Sequence, residues 1–79
     1  MTKRQHLLEL IRIEAARYGT STQANVRRYI ENRISYGAYQ DACRAGYREY
    51  QRAQAAGNIC QHNQHGDLCA QCRSKGIPS

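Results

Sequence analysis

From Asn58 to Ser79 the chain carries three of its four cysteines, two of its three histidines and its only proline. No apolar pattern in this stretch is long enough to build a core, so a segment this dense in soft ligands needs a metal to organise it. It reads Cys60-Gln61-His62, then Gln64-His65-Gly66-Asp67-Leu68, then Cys69-Ala70-Gln71-Cys72, a C-x-H-x6-C-x2-C pattern.

The chemistry follows from the residue types. Two soft ligands with two residues between them form a loop whose backbone amides point at the sulfurs, and a second pair from an extended segment completes a tetrahedron suited to zinc. Alternate residues of an extended strand share a face, so Cys60 and His62 can both turn to one ion. His65 is the competing imidazole. Gly66-Asp67 supplies the reversal that returns the chain to Cys69. Three thiolates and one imidazole leave no open position, so the site is expected to be structural. Beyond Cys72, Arg73 to Pro78 reads as one short helical turn closed by Gly76.

The remaining 57 residues read as a helical body that this finger docks against. With 79 residues the core is thin, and with no Trp, no Phe and six Tyr it must use Leu, Ile, Ala and tyrosine rings. Leu7, Leu8, Ile11, Ala15 and Tyr18 recur at helical steps, predicting a helix over about Lys3–Tyr18 stopped by Gly19. Leu10 and Ile13 widen its apolar surface and call for contact on two sides. Thr20 with Gln23 fits a capping box opening a second helix to about Arg33, with Val26, Tyr29 and Ile30 as its buried face. Ser35 is the expected cap of a third helix from Tyr36 to about Ala56, ended by Gly57. Gly37 and Gly46 inside it read as marks of close packing. The fold class is mainly α: a three-helix body over 1–57 and a zinc-binding tail over 58–79.

Two stripes run along the third helix. Tyr36, Tyr39, Cys43, Tyr47 and Tyr50 fall on one narrow arc, which reads first as a packing seam against the other helices or against a second copy of the chain. Cys43 within it reads as a small buried hydrophobe. Beside the seam, Arg44, Arg48 and Arg52 form a basic line that only Asp41 and Glu49 are near enough to soften. Tyr29, Arg33, Ile34, Ser35 and Tyr39 occupy the places of a helix-turn-helix turn, although such a turn usually has Gly where Arg33 stands.

Net charge is +6, and ten of the twelve cations are Arg, which favours partners bearing phosphate or carboxylate. No apolar run approaches a membrane span or a secretory signal core, so the expected setting is the cytoplasm, where cysteines serve as ligands or thiols. No Ser/His/Asp set, buried carboxylate pair or glycine-rich phosphate loop is present, so an enzyme is not expected.

With its short helical body and the Cys60, His62, Cys69, Cys72 set, the chain resembles the small accessory zinc-finger proteins encoded by phages and prophages. That resemblance covers about the last 20 residues and implies regulation or interference. Leu68 to Arg73 is also similar to the second metal half of the transcription factors that enter the RNA polymerase secondary channel. The coiled coil, acidic tip and longer spacing of those proteins are missing, so their action is not carried over. Two functions remain on this reading. One is a regulator that binds nucleic acid through Arg44, Arg48 and Arg52 with Arg27, Arg28 and Arg73. The other is a zinc-stabilised interaction module, an inhibitor or adaptor, whose tyrosine seam and basic line together meet an acidic host protein or a second copy of the chain.

Overall fold

In the computed structural model, residues 2–69 are described, and they form three helices: α1 Lys3–Tyr18, α2 Gln23–Glu31 and α3 Tyr36–Ala55. Cys72, Arg73 and the short turn expected after them lie outside the described residues.

Each helix starts on a hydroxyl cap. Thr2 accepts from the Gln5 amide while the Gln5 side chain accepts from the Thr2 amide, a reciprocal box that satisfies two otherwise orphaned donors. Ser35 accepts from the Ala38 amide and opens α3 as the sequence predicts. For α2 the cap is Thr22, which accepts from the Asn25 amide, and not Thr20. Three hydroxyls in a row offer three registers, and the packing of Asn25 selects among them.

Asn25 is the main departure from the apolar pattern. It is fully buried, donating Nδ2 to the Ile11 carbonyl of α1 at 3.1 Å and accepting from Arg28 at 3.0 Å. This turns α2 so that Val26 and Ile30 face outward, 41% and 63% exposed, against the expected buried face; Tyr29 alone of the three packs on the core. A buried amide persists only where its hydrogen bonds are made, and here both ends find partners.

The main packing is α1 on α3. Gly46 meets α1 so closely that a Cβ there would sit 2.4 Å from the Arg12 carbonyl oxygen and 2.6 Å from the Ala15 methyl group. Ala15 and Ala16 are fully buried beside it. Gly37, expected to mark a similar approach, has nothing within 4 Å. Ile11, Ile34 and Cys43 centre the core, with Leu7, Leu8, Tyr29, Ala38, Tyr39, Ala42 and Tyr47 packed around them. Burying Ile11 alone contributes roughly 1.5–3 kcal/mol.

Part of the tyrosine seam packs within the chain, through Tyr39 and Tyr47, whereas Tyr36 is 60% exposed. Tyr39 stacks on Tyr29 of α2 at 4.7 Å between centroids, with Tyr36 at 6.5 Å from Tyr39. Tyr47 joins the core, and Tyr50 lays its ring over Gly19. Burial pushes the Tyr39 hydroxyl above its ordinary range, opposed by its hydrogen bond with Ser21, and burial raises Tyr47 likewise.

Both later helices end in the same way. After α2, Arg33 takes the left-handed conformation at φ 52°, its amide reaching the Ile30 carbonyl and that of Ile34 the Tyr29 carbonyl. After α3, Gly57 at φ 73° does the same with Gln54, and Asn58 with Ala53. These paired bonds are Schellman ends, which satisfy carbonyls the last turn leaves open. The backbone at Arg33 therefore has the conformation that a Gly-preferring turn demands.

Candidate metal centre

The Schellman end of α3 sends the chain back along the body into a tight loop. Ile59 bridges His65, the Cys60 amide donates to the Gln64 carbonyl at 3.0 Å, and the Asn63 amide donates to the Cys60 carbonyl at 2.9 Å. Asn63 sits at φ 59°, a conformation that Asn tolerates better than most residues. The loop places Cys60 and His62 on one side through a turn, not through the extended strand expected from their spacing. The His62 amide points at the Cys60 sulfur at 3.4 Å.

The second arm begins at His65. Its carbonyl accepts from the amides of Leu68 and Cys69, folding the chain so that Cys69 comes back buried against the first arm. Gly66 runs close against Asn58 in this reversal: a Cβ there would lie 2.2 Å from the Asn58 side-chain oxygen and 3.0 Å from its carbonyl oxygen.

Cys60, His62 and Cys69 converge, with their ligand atoms all within 4.8 Å of one another, and could together hold a metal ion. His62 Nδ1 lies 3.6 Å from the Cys60 sulfur and 3.5 Å from the Cys69 sulfur. Around a tetrahedral zinc, with Zn–S about 2.3 Å and Zn–N about 2.0–2.1 Å, sulfur and nitrogen stand about 3.6 Å apart. One ring nitrogen has one hydrogen bond to give or take, so near-equal approach to two sulfurs fits an ion between them better than a thiol–imidazole bond.

His65, the alternative ligand, is in a different role. Its amide donates to the Arg17 carbonyl at 2.8 Å, and its Nδ1 accepts from the Asp67 amide at 3.2 Å. Cys43 is buried in the helical core and is not in the metal group.

Sequence reasoning missed the residues that seat this loop. Arg17 receives the His65 amide on its carbonyl and donates Nε to the Leu68 carbonyl at 3.0 Å; Tyr50 donates its hydroxyl to the Asn63 carbonyl at 3.2 Å. The one local signal was a basic residue in the last turn of α1, and its partners lie some fifty positions downstream.

The basic residues divide into two groups. Arg44, Arg48 and Arg52 are exposed on α3 and make no ion pair among the described residues, and Arg27 is exposed on α2. Arg28 is half-buried and bonded to Asn25. Glu49, expected to soften the line, instead joins Glu9 in holding Arg12. That contact holds the Glu9 carboxyl below its ordinary range, through the Arg12 hydrogen bond first, and raises Arg12 in turn. Glu14 faces Arg17 at 3.7 Å. Among the described residues no helix is long and apolar enough to cross a membrane.

No family model matches this chain, and no curated protein or solved structure does.

Proposed function

We propose that this chain is a zinc-stabilised regulatory protein that binds nucleic acid through the outer face of α3. Zinc is the metal that a thiolate and imidazole set selects over hard cations such as Mg²⁺ or Ca²⁺. Cys60, His62 and Cys69 would hold it, with Cys72, three positions beyond Cys69, as the fourth ligand. The ion would cross-link two loop arms and supply folding energy, with no open position for substrate. The phage-type accessory role is what the resemblance of the cysteine and histidine pattern adds, and the cytoplasm is the setting expected from the sequence.

The observation that carries the nucleic-acid reading is the state of the arginines. Glu9, Glu14 and Glu49 all face Arg12 or Arg17 on or beside α1, while Arg44, Arg48 and Arg52 stand exposed on one side of α3 with no ion pair among the described residues. Four residues rise about 6 Å along a helix, so the three guanidinium groups form a short track that can follow a phosphate backbone. Three like charges held together, with only Asp41 one turn away and in no ion pair among the described residues, are unfavourable alone and become favourable when an anion arrives.

The test is a salt titration of binding to short DNA and RNA duplexes and single strands. Affinity should fall by roughly one log unit per log unit of salt for each phosphate contacted. Replacing Arg44, Arg48 and Arg52 one at a time by Gln should lower that slope by about one each. Absence of any complex at low ionic strength overturns the proposal, as does an unchanged slope.

A protein partner is the second reading, and exposed Val26 and Ile30, four residues apart on α2, favour it. Native mass measurement separates the two, because it reports zinc, copy number and retained partner together.

A further inference from the structure

We infer that Arg17 is the positioning residue of the metal site, fixing the arm that carries Cys69 from a helix that supplies no ligand. The inference rests on the zinc reading above and adds to it a route by which metal occupancy reaches the helical body.

Arg17 holds the loop at two points. Its carbonyl belongs to the last turn of α1, where no amide of the helix can reach it, and the His65 amide takes that place at 2.8 Å. Its side chain turns the other way and donates Nε to the Leu68 carbonyl at 3.0 Å. These two contacts bracket the reversal from His65 to Leu68, the residue directly before ligand Cys69. On the other side, the Ile59 bridge ties His65 to the arm that carries Cys60 and His62. Arg17 thereby sets one ligand arm against the other.

The guanidinium is itself oriented. Glu14 faces it across one helical turn at 3.7 Å, and the Arg17 side chain is only 30% exposed. A planar fork held by a carboxylate presents Nε in a fixed direction, which a lysine ammonium at the same place does not. Groups that hold ligands without touching the metal commonly alter affinity by 10–100-fold when removed.

The test is zinc affinity of the full chain by competition with a chromogenic chelator, in the wild type, Arg17→Lys and Arg17→Gln. Helical circular dichroism at saturating zinc and the Co²⁺ absorption spectrum are read alongside. Both variants should lose about 10–100-fold in affinity, keep full helicity at saturating zinc and keep a tetrahedral Co²⁺ spectrum. Wild-type affinity in either variant overturns the inference; in Arg17→Lys it would show that charge suffices without the fork. A matching loss of helicity overturns it too, because Arg17 would then only support the body. If the wild type takes up no zinc, the metal reading itself fails and this inference falls with it.

Discussion

Gly46 of α3 lies against the Arg12 carbonyl of α1 with no room for a side chain, since an added Cβ would sit 2.4 Å from that oxygen. The obstacle is backbone, which cannot swing aside, so the two helices would have to separate. Gly46→Ala should therefore cost about 2 kcal/mol net, overpacking outweighing the roughly 1 kcal/mol that Ala gains in a helix. Gly37, in the first turn of the same helix, faces open space. Gly37→Ala should stabilise by about 0.5–1 kcal/mol. Urea midpoints of the two variants should move in opposite directions; a shared direction would refute this account of the helix contact.

Arg33 carries a conformation that suits glycine. Its φ of 52° brings Cβ against the following carbonyl, at a cost of roughly 1–2 kcal/mol for a non-glycine residue. The side chain is exposed, and no ion pair among the described residues would be lost. Arg33→Gly should raise stability by about 1 kcal/mol, seen as a higher urea midpoint at unchanged slope. A lower midpoint would mean that the Arg33 side chain supports the turn in some further way.

The two histidines of the tail separate cleanly in a metal assay. His62 faces both sulfurs, whereas His65 serves the loop through its amide and Nδ1. His62→Ala should abolish stoichiometric zinc uptake at micromolar metal, while His65→Gln should still take up one zinc per chain. Zinc retained by the first variant and lost by the second would exchange their roles.

Much of this was legible in the order of residues. The bounds of α1, the Ser35 cap, the Gly57 stop and the burial of Cys43 follow from periodicity and capping chemistry, which act over a few residues. The convergence of Cys60, His62 and Cys69 follows from their spacing and the Gly66 reversal, although the first arm reaches it by a turn. What could not be read is long-range. Asn25 looks like a surface residue of α2 until Ile11 offers it a carbonyl, and that one contact exposes Val26 and Ile30 and moves the cap to Thr22. Arg17 and Glu49 are likewise given their partners by the packing of α1 against α3 and the loop.

The caps at the helix ends also shape the field around the molecule. None of the three helices has an acid in its first turn, while Arg17, Arg28 and Arg52 stand in their last turns. The negative poles of the peptide dipoles thus have guanidinium groups beside them, and the positive poles, each equivalent to roughly half a charge, meet hydroxyl caps and no acidic side chain in the first turn. The dipoles add nothing to the formal +6; they decide where it sits well, favouring the cations at the C-terminal ends of the rods while no first-turn carboxylate neutralises the N-terminal ends.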